Sequence, residues 1–258
     1  IDGNTVVVGA YGKDGYTGAV YVLRTTDGGA TYAQVAKLTA ADAAATDNFG
    51  ISVAIDGDTV VVGAYLDDDA GSASGSAYVF RTSDGGDSYG QVAKLTASDG
   101  AADDYFGRSV AISGDSVVVG AYYDNINGGA GGYNNGQGSV YVFRTSDGGA
   151  TYVELAKLTA SDAASYDYFG VSVAIDGNTV VVGAYDDVND AASQWSSAHV
   201  FRTDDGGATY VEVARLNPEA EYDGFGVSVA ISGETVVVGA YRKEAHRGAA
   251  YVYRPSDD

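Results

Sequence analysis

The chain has 258 residues, and its 35 acidic residues against 14 basic ones give a formal charge of −21. Such a surface repels phosphate backbones and anionic lipid, so nucleic acid is not expected as a partner, and no apolar run is long enough for membrane insertion. With no cysteine present, disulfides, thiolate nucleophiles and cysteine metal sites drop out as well.

The chain opens on a clipped copy (residues 1–11) of a motif that then recurs nearly intact at 49–65, 106–122, 169–185 and 225–241. The motif reads Phe-Gly-x-Ser-Val-Ala-Ile-x-Gly-x-Thr/Ser-Val-Val-Val-Gly-Ala-Tyr. Its Gly-Ala pairs begin at Gly9, Gly63, Gly120, Gly183 and Gly239, spacings of 54, 57, 63 and 56 residues. Self-similarity at this period marks a repeat architecture.

Each repeat resolves into four strands. In the first, residues 49–55, Ile51, Val53 and Ile55 alternate with Ser52 and Ala54, and period-two alternation predicts a strand. The turn Asp56-Gly57-Asp58 follows, glycine supplying the positive φ of a tight hairpin. The second strand, 59–64, is a continuous valine run, as for a strand covered on both faces. After a loop of variable length comes a third strand such as 139–144. The fourth strand falls at 32–38, 89–95, 152–158 and 210–216, where Lys37, Lys94, Lys157 and Arg215 read as guards of an outer edge. Four antiparallel strands repeated radially predict an all-β fold, a β-propeller of about five four-stranded blades in one domain spanning 1–258. The chain enters at a second strand and leaves after a third at Arg254, so the end blades are expected to be incomplete. Both termini read as cut within repeats.

Candidate sites cluster in the loops after the second strands. Acidic loops offer hard oxygen ligands for calcium at Asp67, Asp69, Asp124, Asn127, Asp186 and Asp190, although solvated loops explain the same composition. The Gly-Ala-Tyr series puts Tyr65, Tyr122 and Tyr185 at one corner of successive blades, where they either line a mouth of the propeller or pack between blades. Tyr133 and Asn134 in the longest loop, and the lone Trp195, are contact-residue candidates. Acidic pairs precede each Phe-Gly (Asp42 with Asp47, Asp99 with Asp104, Asp162 with Asp167, Glu219 with Asp223) and read as turn caps. Arg24, Arg81, Arg144, Arg202 and Arg254 recur at third-strand exits and are expected to pair within their own blades. No nucleophile motif or phosphate-cradling loop is present.

Phe-Gly at the head of each repeat and Gly-Ala after the valine run resemble FG-GAP repeats, the blades of integrin α-chain propellers and many extracellular proteins. The resemblance implies a propeller used for adhesion or partner binding at the cell surface. Tyr stands here for the family's usual Pro after Gly-Ala, and the family's calcium loop between first and second strands has shrunk to a tight turn too short to supply six to eight oxygens. Between third and fourth strands, residues 145–152 (Thr-Ser-Asp-Gly-Gly-Ala-Thr-Tyr) resemble the Asp-box of sialidases, a structural hairpin. The expectation is a non-enzymatic extracellular interaction or adhesion module. It would bind protein partners or glycans at its loop face, with self-assembly through the incomplete end blades. The alternatives are a lectin-type propeller and, behind it, a glycan-cleaving enzyme.

Overall fold

The computed structural model of the protein describes residues 1–126, 136–185, 196–218, 223–243 and 247–254. They form five antiparallel sheets in chain order. Blade I holds β1 (Thr5–Gly9), β2 (Val20–Arg24) and β3 (Ala33–Leu38), with a single helical turn, α1 (Lys13–Tyr16), between its first two strands. Blade II holds β4 (Ser52–Asp56), β5 (Thr59–Ala64), β6 (Ser76–Arg81) and β7 (Gly90–Leu95). Blade III holds β8 (Phe106–Ser113), β9 (Ser116–Ala121), β10 (Ser139–Arg144) and β11 (Val153–Leu158). Blade IV holds β12 (Phe169–Asp176), β13 (Thr179–Ala184), β14 (Ser197–Arg202) and β15 (Val211–Leu216). Blade V holds β16 (Phe225–Ser232), β17 (Thr235–Ala240) and β18 (Ala249–Tyr253). Each sheet is a simple meander, and this is a β-propeller of about five blades with three-stranded end blades.

The valine runs are buried on both faces because blades stack on both sides. Val60 and Val62 pack toward blade I against Val7, Val20 and Val22, while Val61 packs toward blade III with Val117, Val119 and Tyr141. The alternation repeats at Val118, Val180 and Val182 between blades III and IV, and at Val181, Val236 and Val238 between IV and V. Each fully buried valine contributes about 1.5–3 kcal/mol, so these boundaries hold most of the stabilising apolar area. Where no neighbouring blade precedes or follows, the same positions open. Val8 is 46% exposed where its equivalent Val62 is 0%, and Val252 is 61% exposed where Val79 is 0%.

Phe-Gly has a specific backbone task. Gly107, Gly170 and Gly226 lie in the left-handed region (φ +89°, +92° and +81°), and the ladder slips there, between Phe106 and Ser109 and at the matching points of β12 and β16. The resulting bulge turns each glycine carbonyl toward the preceding blade. Ser52, Ser109 and Ser172 donate to those carbonyls at 2.8, 2.7 and 2.8 Å. Opposite them Gly63, Gly120 and Gly183 come so close to the same carbonyls that a Cβ would collide with backbone. The Phe-Gly and Gly-Ala signatures are thus two halves of one blade-to-blade contact.

A second series of bonds joins the tight turns. Asp2, Asp56 and Asp176 accept from the Gly57, Gly114 and Gly233 amides of the following blade at 2.7, 2.5 and 2.6 Å, and Ser113 accepts from Gly177 at 3.1 Å. The arginines at third-strand exits also reach forward. Arg24 pairs with Asp87 of blade II at 3.3 Å and Arg144 donates to the Gly206 carbonyl of blade IV, so the expected pairing within one blade is corrected for these two. Arg254 donates within its own blade, to Thr235 at 3.2 Å.

Candidate functional site

A meander of four strands places its two tight hairpins at one end of the blade, and its long loop and the link to the next blade at the other. The described candidate site residues, Tyr65, Tyr122, Tyr185, Asp67, Asp69 and Asp124, fall at the loop end. Tyr133, Asn134, Trp195, Asn127, Asp186 and Asp190 lie outside the described residues.

Tyr65 and Tyr122 are half-buried and belong to a continuous aromatic row that crosses three blades. The ring of Tyr105, on the link into blade III, stands 5.4 Å from Tyr65, 5.8 Å from Tyr122 and 4.9 Å from Tyr123. Tyr168, on the link into blade IV, continues the row at 5.0 Å from Tyr123 and 6.0 Å from Tyr122. These separations suit edge-on and offset ring pairs; Tyr123 and Tyr168 are buried and pack the row together, while the half-buried Tyr65, Tyr105 and Tyr122 reach the loop end. Tyr185 sits apart from that row, sharing a 2.7 Å hydroxyl contact with Tyr241. Arg108 lies over Tyr122 at 6.0 Å, and Arg242 over Tyr185 and Tyr241 at 5.7 and 5.1 Å. Burial raises the Tyr122 hydroxyl well above its ordinary value, Arg108 opposing in part, so it stays neutral and can donate or accept.

The backbone of these links is strained. Tyr105 and Tyr168 take φ of +58° and +48°, where Asn48 and Gly224 stand in the other links. Asn and Gly visit the left-handed region readily, whereas a bulky residue there is an outlier. Two tyrosines are held at positions that disfavour them, both in the aromatic row. Sequence reasoning passed over Tyr105, Tyr123 and Tyr168; the available signal was an aromatic residue directly before Phe-Gly in two repeats.

The acidic candidates meet an internal cation. Oxygens of Asp42, Asp67 and Asp69 all lie within 4.8 Å of one another, a spacing that could hold a metal. Lys94 Nζ, however, stands 2.6, 3.2 and 2.5 Å from them, and the buried Tyr78 hydroxyl donates to Asp42 and Asp67 at 2.9 and 2.7 Å. Blade III repeats the clamp, with Lys157 Nζ 2.7 Å from both Asp99 and Asp124 and Tyr141 donating to both. Burial alone would lower the Lys94 ammonium, but the carboxylates of Asp42, Asp69 and Asp67 raise it further, so it stays charged. At Asp67, Asp69 and Asp124 the lysine ammonium supplies the counter-charge among these carboxylates.

The acidic pairs before Phe-Gly divide their labour. Asp47, Asp104 and Asp167 accept from the Ala44, Ala101 and Ala164 amides at 2.6 Å each, as turn caps should. Asp42, Asp99 and Asp162 instead bind Lys94, Lys157 and Arg215 of the next blade. Blade IV departs from the pattern. Its buried His199 replaces the clamp tyrosine and sits between Ser197 at 2.9 Å and Glu212 at 2.8 Å.

Residues 32–80, 89–143, 152–201 and 210–253 match the FG-GAP repeat. The chain belongs to the FG-GAP repeat family. No curated protein matches it. FG-GAP propellers commonly mediate protein interactions or adhesion and are typically non-enzymatic, and they occur mainly in extracellular or cell-surface proteins. Within this FG-GAP chain, the matched stretches contain every tyrosine of the aromatic row together with both lysine clamps. No helix among the described residues is long and apolar enough to cross a membrane.

Proposed function

We propose that the chain is a non-enzymatic extracellular interaction module whose five blades act as one propeller domain and engage a protein partner at the loop end. The aromatic row from Tyr65 through Tyr105, Tyr122 and Tyr123 to Tyr168 carries this reading. Tyrosine presents a rigid apolar body with a polar tip at little entropic cost, which suits contact surfaces. The left-handed backbone at the half-buried Tyr105 supports the same reading, since strain of this kind clusters at functional sites.

The test is adhesion of the labelled chain to cell-surface and matrix extracts of its source, compared with Tyr65→Ser and Tyr122→Ser. The expected result is saturable binding that both substitutions weaken at least tenfold without lowering the melting temperature by more than a few degrees. Unchanged binding by both variants overturns the assignment of the partner to this face.

A further inference from the structure

The opposite, hairpin end carries a separate feature. Between blades II and III lies a cavity of about 260 Å³ lined by Asp56, Asp58, Arg81, Asp115, Thr145 and Tyr152. The next boundary repeats it at about 180 Å³, with Asp115, Arg144, Asn178, Thr203 and Tyr210 in matching places. Both are smaller than the roughly 300–1,000 Å³ pockets that suit drug-sized ligands.

The boundary between blades I and II differs in how its arginine is paired. There the guanidinium of Arg24 is ion-paired to Asp87, which stands in the hairpin of blade II. The equivalent hairpin residue is Ala150 in blade III and Ala208 in blade IV. Arg144 falls back on the Gly206 carbonyl. Arg81 has no such substitute: its Nε is buried without a hydrogen-bond partner, and no carboxylate is ion-paired with it among the described residues. Tyr152, half-buried, and Thr145 also line the cavity.

We propose that the cavity beside Arg81 is a binding site for a neutral hexose, with a weaker second site beside Arg144. The guanidinium is donor-only and the carboxylates of Asp58 and Asp115 are acceptor-only, so a vicinal diol, which both donates and accepts, satisfies them together. The tyrosine ring offers the apolar face of a sugar a surface to lie on. An anionic ligand is disfavoured, because three aspartates surround one arginine. The site is independent of the protein-binding reading, since it uses the other end of the blades.

The experiment is saturation-transfer NMR and calorimetry of the full chain with the methyl glycosides of glucose, galactose and mannose. Saturable millimolar binding of at least one is expected. Ala150→Asp copies the side chain that blade II already carries at an exposed turn position, and it should weaken that binding at least tenfold in a folded protein. Asp87→Ala should open the first boundary and add one site. Tyr122→Ser should leave sugar binding unchanged while it weakens partner adhesion, so failure of either reading is told from failure of the other. No saturable binding of any of the three, or undiminished binding by Ala150→Asp, overturns the proposal.

Discussion

At the hairpin end Asp27, Asp84, Asp147 and Asp205 build the same small network four times. Each accepts from the threonine two residues before it at 2.7–2.8 Å and from the Thr or Ser hydroxyl four residues after it at 2.5–2.6 Å. At the loop end one equivalent position is Lys13, Asp67, Asp124 and Lys243 in blades I, II, III and V. The hairpin network closes within eight residues, so it forms wherever the local sequence allows. The loop-end clamps need side chains from two blades, such as Asp42 and Lys94, 52 residues apart. The hairpin network closes locally and repeats faithfully, whereas the side-chain clamps that bridge blades at the loop end are where the repeats diverge and where binding surface can be built.

This contrast breaks most severely at the contact that both ends share. Gly120→Ala drives a Cβ into the Gly170 carbonyl and the Ser109 hydroxyl, and backbone cannot yield there as a flexible side chain could. A loss above about 4 kcal/mol is expected, or failure to fold, checked by chemical denaturation. If the hairpins are locally closed, a peptide spanning residues 139–158 should keep its turn regardless, by amide NMR.

The next effect is confined to the loop end and depends on pH. Asp104 is only 1% exposed, and burial pushes its carboxyl up to about 7, with the Asp124 and Asp99 charges adding to the shift and the Ala101 amide and Lys157 opposing it. A folded-state value raised above the unfolded one means stability is greatest below about pH 4 and is lost as pH rises through about 7. Asp104→Asn keeps a cap acceptor and removes the ionisation, so it should stabilise the chain above pH 8 by roughly 2–4 kcal/mol, less at pH 5, and have little effect below about pH 4. A variant whose advantage does not grow with pH would show that Asp104 is ionised freely.

Lys94→Ala should cost roughly 2–3 kcal/mol, because it leaves the buried Asp67 carboxylate without its counter-charge. The same substitution frees three carboxylates within 4.8 Å, so calcium should now raise the melting temperature of the variant and not of the parent. Equal calcium responses in the two proteins would mean that the ammonium does not stand in for a metal.

The valine runs, the tight turns and both signatures were legible because each is a local rule of period or turn chemistry. The three-stranded end blades followed from counting strands. The clamps were not legible: Lys94 and Lys157 read as edge guards since nothing adjacent in sequence reveals the aspartates of the preceding link. Arg24 and Arg144 were placed within their own blades for the same reason, their partners lying 63 and 62 residues on. Tyr105 and Tyr168 escaped because propensity argues against a bulky residue in the left-handed region, and it is the surrounding rings that hold them there.

The smallest effect tests the locality of the hairpins most directly. The hydrogen bonds to Thr151 and Thr145 hold the Asp147 carboxyl well below the usual carboxylate range, with the same causes acting at Asp84 through Ser88 and Thr82. Such a group lends stability above the unfolded value, and that contribution fades as pH falls through the folded one. Asp147→Ala should lower the melting temperature by about 2–4 °C at pH 7, and Asp84→Ala by a similar amount. Their hairpins share no hydrogen bond, so the double variant should show the sum of the two shifts, as independent sites do. Asp42→Ala with Lys94→Ala, two halves of one clamp, should fall well short of additivity. Coupling between the two hairpin variants would mean that the forward-reaching Arg81, which lies against Gly149, transmits strain from one hairpin to the next. The hairpin end would then be a connected strip, and sugar binding beside Arg81 would be felt at the neighbouring boundary.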